Sequence, residues 1–435
     1  VKTLKVALLG CGNVGSQVAR ILLEDAEDLA ARVGARLKLA GIAVRNPDAP
    51  READLPRELF TTDAEALIAS ADIVIELMGG LEPAGTLVRS AIAHGAAVVT
   101  GNKALLAAQG HDLSALAEEA GVQLSYEAAV AGAIPILRPI AESLAGDHIT
   151  KVMGIVNGTT NFILDAMDTT GAAFGDVLAE AQRLGYAEAD PTADVGGHDA
   201  AAKAAILAAL SFHTTVDAAD VHCEGITSIT ADDVAAAQEA GYVIKLLAIA
   251  ERLPAADGSD GISVRVHPTL IPRLHPLASV HGAFNAVFVE AENAGQLMFY
   301  GQGAGGRPTA SAVLGDTVAL ARRLVIGGRG RTRSHDVTIP ALPIAQTTTS
   351  YYIGLEAKDQ PGVLARIAQI FAAHGVSIET MRQTTHPVAD GSGDSATLRI
   401  GTHRGPEAAL AATVAEIEQL DVVTAVTSVL RVEGN

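Results

Sequence analysis

Tryptophan is absent from this 435-residue chain, and aromatic side chains make up only 3% of it. Beside that shortage stand 43 glycines and several alanine-rich helical runs, a composition of helices layered on sheet rather than of a β-sandwich. Cysteine is nearly missing too: Cys11 and Cys223 lie far apart, with no His or Cys at metal-ligand spacing. A disulfide framework and a structural zinc site are therefore unsupported, and a reducing compartment is expected. Positive charge is scarce, with 31 Lys and Arg against 50 Asp and Glu and a formal net charge of −19. Nucleic acids and anionic membranes reward clustered Lys and Arg, so neither is expected as a partner. Long hydrophobic runs are lacking as well. The apolar stretch after the basic start, VALLG, breaks at once into Gly10-Cys11-Gly12 and is too short for a signal sequence. The longest apolar helical run, 200–212, carries Lys203 and falls short of a membrane span. The expectation is a cytoplasmic protein.

What is present describes a well-buried globule. An apolar fraction of 49% with 19% charged residues, at this length, exceeds a single core and predicts two or three domains. The chain opens with a strand pattern, LKVALL (4–9), a glycine turn, GCGNVG, and a helical run. In such a turn Gly10 makes the tight bend, Gly12 lets a pyrophosphate approach the backbone, and Gly15 allows close helix packing, while the helix N-terminus supplies amide donors. A strand before and a helix after are the context in which this motif means dinucleotide binding. Past the second strand, Arg45 stands where an NAD site usually offers an acid to the ribose 2′-hydroxyl. An arginine there suits a 2′-phosphate and tilts the cofactor toward NADP; the plainer reading is a solvated loop residue.

Two further β-rich runs, ADIVIELMGG (71–80) and GAAVVTGNKALLA (95–107), continue a parallel sheet. Ligands sit at the carboxyl ends of such strands, so Thr100 and Lys103, at the end of VVT, should face the cofactor crevice. Next, Glu127 precedes a glycine-containing bend in YEAAVAGAIP (126–135) that exposes carbonyls. Oxygen-only ligands of that kind suit a hard cation, although a simple interdomain turn reads equally well. The run KVMGIVNGTTNF (151–162) joins a strand to a polar turn and a new helix, whose amides and hydroxyls can meet a carboxylate. Then LGYAEADPTADVGGHDAAAK (184–203) crowds acidic residues and a lysine together. Helix after Gly197 places Asp199 and Lys203 at i and i+4 on one face, while Pro191, Gly196 and Gly197 keep Glu188 on a loop. These three side chains could surround a small zwitterion; an exposed salt bridge beside an acidic loop is the alternative.

In the second half, DDVAAAQEAGYVIKLLAIAE (232–251) reads as one helix, followed by strands around GISVRVHPTLI and NAVFVEAENAGQLMFYG. This strand-rich part, with few polar constellations, looks like a platform for dimerisation and substrate. His267, His275 and His281 read as surface or packing residues. A linker rich in Gly, Pro, Thr and Arg follows at 329–349, its arginines solvated. Residues 350–435 read as a separate small unit of order βαββαβ. Its two helices carry Val363, Ile367 and Phe371, and Leu410, Val414 and Ile417, on single faces.

Seven motifs, GCGNVG, ELMGG, VVTGNKALLA, YEAAVAGAIPI, GIVNGTTNFIL, LGYAEADPTADVGGHDAAAK and GQGAGGRPTASAV, stand in an order that resembles the homoserine dehydrogenases over most of 1–330. DQPGVLARIAQIFAAHGVSI likewise resembles an ACT domain. The resemblance implies an α/β chain with a Rossmann-type NAD(P)-binding domain at 1–134, completed by 305–328. An α+β catalytic and dimerisation domain at 135–304 and, beyond the linker, a ferredoxin-like ACT regulatory domain at 350–435 would follow. The implied reaction interconverts L-homoserine and L-aspartate 4-semialdehyde with NADP or NAD (EC 1.1.1.3), in threonine, methionine and isoleucine biosynthesis. By position, Gly10, Gly12, Asn13, Val14, Gly15, Arg45, Thr100, Lys103, Gly185 and Gly303 fall on the cofactor side. Lys203 matches the general acid/base, and Lys103 would polarise the carbonyl oxygen and share that role. Glu188 and Asp199 would receive the substrate ammonium, with Thr159 and Tyr186 completing the pocket. Glu127, Val130, Gly132 and Ile134 match positions for a structural monovalent cation, sodium or potassium, the last three through backbone carbonyls. L-Threonine is the expected effector at the ACT unit, unless that unit only assists assembly, and a homodimer or homotetramer is expected. Gly101 replaces an expected alanine, Gln302 a proline and Gly196 an acidic or amide residue, which touches loop shape but no charge the chemistry uses. Two other readings stay open. One is a different NAD(P)-dependent oxidoreductase with an ACT tail, for which no His–carboxylate pair stands out. The other is an inactive amino-acid sensor, against which the intact Lys103, Glu188, Asp199 and Lys203 speak.

Overall fold

The computed structural model describes residues 2–51, 53–255, 258–327, 339–387 and 394–434. Short apolar runs buried on both faces build the first sheet. In chain order its strands are Thr3–Leu9, Arg36–Ala43, Phe60–Thr61, Ile73–Glu76, Ala97–Thr100 and Leu124–Ser125, arranged 3-2-1-4-5-6 and all parallel. Alternation along the first strand splits the core into two layers, with Leu4, Val6 and Leu8 on one side and Ala7 and Leu9 on the other. The first layer takes helix Asn13–Glu24 and the returning helix Gly306–Ile326, the second takes Ala84–Ala93 and Lys103–Glu119. The strand order reverses between the first and fourth strands, which opens a crevice at their carboxyl ends. The long first helical run is two helices, Asn13–Glu24 and Ala26–Val33, meeting at Asp25, and these fill the wide interval between glycine turn and second strand.

The remaining large sheet has 11 strands. Its catalytic part runs Gly295–Gln302, Phe284–Ala291, Ile149–Ile155, Tyr242–Pro254 and Asp260–Pro272, each antiparallel to its neighbour. Helix His198–Phe212 packs on one face through Ala204, Leu207 and Phe212, in one core with Val152, Ile244, Leu246 and Ala248. Met153, Val243, Leu247 and Ile249 face the other way. One sequence expectation fails here. The helix expected over 232–251 ends at Glu239, Gly241 turns the backbone with a φ of 82°, and the chain leaves as the strand Tyr242–Pro254. Both faces of that strand are buried, so its sequence lacks the polar–apolar alternation that separates strand from helix.

The C-terminal unit has the expected βαββαβ order: Thr348–Lys358, Val363–Ala373, Ile378–Pro387, Asp394–Thr402, Glu407–Ile417 and Val423–Val432. Val363, Ile367, Phe371, Leu410 and Ile417 lie in its core. It is not a detached module, however. Its last strand runs parallel to Asp260–Pro272, pairing Arg431 with Thr269 and Val432 with Leu270, so the two parts share one sheet. Residues 329–338 of the expected linker, with its arginines, lie outside the described residues; the rest, 339–349, is described and carries the single turn Ile344–Gln346 before strand Thr348–Lys358.

Beside the seam lies a cluster of buried charge to which the strand-rich part, read from the sequence as poor in polar groups, contributes Glu224, Glu251 and Arg265. Glu433 accepts from Lys151 Nζ and from Arg265 Nη2, both at 2.7 Å, and Glu251 accepts from the same Arg265 nitrogen at 2.8 Å. Arg431 bonds Glu407 at 2.7 Å and Glu224 at 2.9 Å, while the Tyr351 hydroxyl donates to Glu407 at 2.7 Å. His267 is fully buried in the same sheet, as a packing residue; His281 is exposed and pairs with Asp165. Among the described residues no helix is long and apolar enough to cross a membrane.

Candidate active site

The first strand delivers the glycine turn to the crevice. Gly10 adopts a φ of 93°, and a side chain there would meet the Leu77 carbonyl oxygen at 2.7 Å. A methyl group on Gly15 would run into the Gly10 carbonyl oxygen, so helix Asn13–Glu24 seats directly on the turn. Gly12, in contrast, has open space where a side chain would stand, which lets an anion approach the amides at the start of the helix, while the Gly12 carbonyl accepts from the Ser16 N–H at 2.9 Å. These residues fit a dinucleotide pyrophosphate. Arg45 is exposed just past strand Arg36–Ala43, at the same end of the sheet. Thr100 does not offer its hydroxyl to the crevice. The side chain is buried, donates to Glu76 Oε2 at 2.6 Å and accepts from the Asn102 N–H at 3.0 Å, so only its backbone is left for a ligand. Gly185 ends helix Phe174–Leu184 with a φ of 79° and open space beside it. Gly303 is enclosed, with the Asn285 side chain against its Cα and its carbonyl against Gly132.

The catalytic candidates converge from two domains. Helix His198–Phe212 begins after Gly197, whose φ of 83° turns the chain into it. Within its first two turns Lys203 Nζ donates to Asp199 Oδ2 at 2.7 Å and to the Val156 carbonyl at 2.7 Å, and both side chains belong to residues only 8% exposed. Lys103, the first residue of its helix in the nucleotide domain, reaches Asp199 Oδ1. One carboxylate thus serves two ammonium groups. Burial pushes the Lys203 amine below the ordinary lysine value of 10.5; Asp199 pulls the other way, and the Lys103 charge adds to the downward push. Burial also works against ionising Asp199, but Lys203 and Lys103 outweigh it and hold the carboxyl well below the usual range.

Two further members, Asn157 and Asp194, carry no site role in the sequence reading. Asn157 Nδ2 donates to Asp194 Oδ1 at 2.7 Å and to Asp199 Oδ2 at 3.0 Å. An asparagine just before a helix announces a cap, and Asn157 does cap Gly158–Thr170; nothing in that position announces the second use. Thr159 and Tyr186 come together, the threonine hydroxyl donating to the Tyr186 carbonyl at 2.6 Å, while the half-exposed Tyr186 ring lies 4.7 Å from that of Phe162. Glu188 remains on an exposed loop, held through its carbonyl, which accepts from Gln182 Nε2 at 3.1 Å.

The proposed cation ligands divide. Ala131 and Gly132 have φ of 57° and 58°, which curls the backbone tightly. The Glu127 carboxylate is already engaged, accepting the N–H groups of Ile136, Leu137 and Arg138 at 2.5, 2.7 and 2.9 Å. It ties the following segment down with three of its roughly four lone-pair sites, which leaves acceptor capacity beside the backbone carbonyls of Val130, Gly132 and Ile134 for a hard cation. Among the described residues no group of three or more His, Cys, Asp or Glu could hold a metal ion.

A parallel sheet with this glycine turn, joined to a second domain that brings a buried lysine against a lysine of the first, defines a nicotinamide-dependent oxidoreductase. Residues 10–127 match the family model for the homoserine dehydrogenase NAD binding domain, 135–318 that for homoserine dehydrogenase, and 351–422 that for the ACT domain. Homoserine dehydrogenase of Corynebacterium glutamicum is 54% identical over 430 residues, covering 98% of this chain and 95% of its own. A crystal structure of a homoserine dehydrogenase from Thiobacillus denitrificans agrees with a TM-score of 0.90 at 41% identity, covering 99% of this chain and 98% of that one. A hyperthermophilic archaeal homoserine dehydrogenase in complex with NADPH matches with a TM-score of 0.60 at 25% identity, over 73% of this chain and 97% of its own. The chain belongs to the homoserine dehydrogenase family, NAD(P)-dependent oxidoreductases acting on a CH–OH group.

Proposed function

We propose that the chain interconverts L-homoserine and L-aspartate 4-semialdehyde, with Lys203 as the group that moves the proton. The observation that carries this assignment is the buried Lys203 ammonium, gripped by Asp199 and the Val156 carbonyl while Lys103 joins the same carboxylate from the nucleotide domain. When bound, the nicotinamide supplies or accepts the hydride. In the reductive direction Lys203 gives its proton to the aldehyde oxygen as that oxygen gains charge; in the oxidative direction the neutral amine takes the hydroxyl proton back. Burial favours that exchange, because it narrows the gap between ammonium and amine. Lys103 polarises the same oxygen. Glu188 and Asp199 face the substrate ammonium, with Thr159 and Tyr186 bordering it.

Gly10, Gly12, Asn13, Val14 and Gly15 would hold the cofactor pyrophosphate, and Arg45 the 2′-phosphate that favours NADP over NAD. Thr100, Gly185 and Gly303 would approach the cofactor through their backbones. Sodium or potassium would be held structurally by Glu127 and the carbonyls of Val130, Gly132 and Ile134. In the ACT unit, a cavity of about 400 Å³ lined by Asp359, Gln360, Gly362 and Gln383 is the proposed seat of L-threonine. The working form is a cytoplasmic homodimer or homotetramer in threonine, methionine and isoleucine biosynthesis. Its nucleotide domain spans 1–134 with 305–328, its catalytic domain 135–304 and its regulatory domain 350–435.

NADPH consumption with aspartate 4-semialdehyde tests the reading. Lys203→Ala should keep NADPH binding and lose about 100-fold or more in kcat, as removal of a general acid/base does. Near-normal kcat would take that role from Lys203, and no turnover by the unaltered chain would overturn the reaction. Millimolar L-threonine should slow turnover; an unchanged rate would leave the ACT unit a role in assembly alone.

A further inference from the structure

We propose that Asn157 is a positioning residue for the proton transfer: its side-chain amide fixes the Asp199 carboxylate between the two lysines and thereby sets the pH at which Lys203 releases its proton. The inference rests on the reading of Lys203 as acid/base.

Asn157 is 5% exposed and every bond its amide can make in this setting is used. Oδ1 accepts from the Thr160 N–H at 2.9 Å and from the Thr160 hydroxyl at 3.1 Å. The two N–H bonds go one each to Asp194 Oδ1 at 2.7 Å and Asp199 Oδ2 at 3.0 Å. The reverse orientation would set Oδ1 against two carboxylates and Nδ2 against an N–H, so the network admits only this one. Capping alone does not require an amide, because serine, threonine or aspartate would cap the helix equally well. The second N–H pair is what only asparagine brings. It bridges carboxylates from two different helices, Thr192–Val195 and His198–Phe212, that would otherwise repel.

The consequence falls on Lys203. Asp199 Oδ2 is shared between Asn157 and the Lys203 ammonium, and Val156, the residue before Asn157, supplies the carbonyl that the same ammonium bonds. Residues 156 and 157 therefore hold both the acid/base and its counterion. The charged groups facing Lys203 are Asp199 on its own helix, Asp194 on the short helix and Lys103 from the nucleotide domain. Asn157 touches two of these three. By donating to Asp199 it draws on the charge that would hold the proton on Lys203, and by spanning to Asp194 it keeps that carboxylate in place.

The test is the pH profile of kcat for homoserine oxidation, which needs neutral Lys203 and so rises with pH through its ionisation. Asn157→Asp keeps the cap and the shape but replaces the donor by a third negative charge, which favours the ammonium. Its rising limb should move upward by about one pH unit or more, the scale of a like-sized charge a few ångströms away. An unmoved limb in a folded variant overturns the proposal, because a charge at position 157 that does not reach Lys203 means the side chain does not act on the Lys203–Asp199 pair. Asn157→Ser keeps the cap and adds no charge, so it separates loss of the amide bridge from the effect of an added charge and also carries the test if the aspartate variant fails to fold. Its kcat should fall about tenfold with KM for NADP⁺ unaltered, a loss confined to the chemical step, and kcat within about twofold of the parent would equally overturn the proposal. A limb that persists in Lys203→Ala would instead place the base elsewhere and sink the reading of Lys203.

Discussion

Replacing Glu433 by glutamine keeps the shape of the side chain and removes one charge from the seam between the catalytic sheet and the C-terminal unit. The cluster it belongs to is balanced: Lys151 and Arg265 against Glu251 and Glu433. The Arg265 and Glu433 side chains are each only 1% exposed, so water cannot take over when a partner is lost. Glutamine leaves one uncompensated positive charge there. Removing one partner of a buried pair costs about 3–5 kcal/mol; because Glu251 still holds Arg265 at 2.8 Å, the lower end, about 3 kcal/mol, is expected. Urea unfolding followed by circular dichroism on the full chain would measure it. Asp260→Asn breaks a largely exposed pair with Arg252 at 3.0 Å and serves as the control, with an expected change below about 1 kcal/mol.

The same variant makes a second, pH-dependent statement. Burial opposes ionisation of Glu433, but Lys151 and Arg265 outweigh it and hold its pKa at about 2, against 4.5 for an ordinary glutamate. A depressed carboxyl stabilises the fold above its unfolded pKa and loses that contribution as pH falls toward the folded value. The gap between parent and Glu433→Gln should therefore be full at neutral pH and close between pH 4.5 and 2. A stability loss under about 1 kcal/mol at pH 7, no larger than the exposed control, would refute the reasoning.

Gly15→Ala forces a methyl group into the Gly10 carbonyl, and about 1–3 kcal/mol of such strain should weaken NADPH binding about tenfold or more in a fluorescence titration. Arg45→Glu should lower the ratio of kcat/KM for NADP⁺ over NAD⁺ about tenfold, since it exchanges attraction to a 2′-phosphate for repulsion; an unaltered ratio would return Arg45 to a solvated loop residue. Glu188→Leu should raise KM for homoserine about tenfold with kcat little changed, as loss of uniform binding does, and an unchanged KM would remove Glu188 from the substrate site.

The parts legible in the sequence are those whose signal is local. The glycine turn, the i and i+4 pairing of Asp199 with Lys203 and the βαββαβ order each depend on residues close together in the chain. Thr100 shows the limit: its strand-end position was readable, but its hydroxyl turns away from the crevice because Glu76, 24 residues earlier, waits for it. Glu127 is similar, since its acidic character beside a curled backbone is readable, but the three amide N–H groups of residues 136–138 that its carboxylate accepts are not. Strand Tyr242–Pro254 was hidden because burial on both faces erases alternation. Asn157 was hidden because one residue serves two purposes and only the cap has a sequence signature.

The shared sheet also bears on how the chain comes to be assembled. The outer edge of Asp260–Pro272 is covered piecewise, by a bridge from Ile262 to Ala341, by His222–Cys223 and by Arg431 and Val432. Arg265 and its partner Glu433 stand 168 positions apart. While the ribosome makes the intervening chain, the edge at Ile262, Thr269 and Leu270 stands unpaired and Arg265 lacks Glu433, the condition in which strands pair with the wrong neighbour. The ACT unit is therefore also the lid on a vulnerable border, and a polypeptide in which it misfolds leaves the larger sheet unsealed. Production of the part bearing Lys203 and integrity of the ACT unit are coupled by the same few backbone hydrogen bonds.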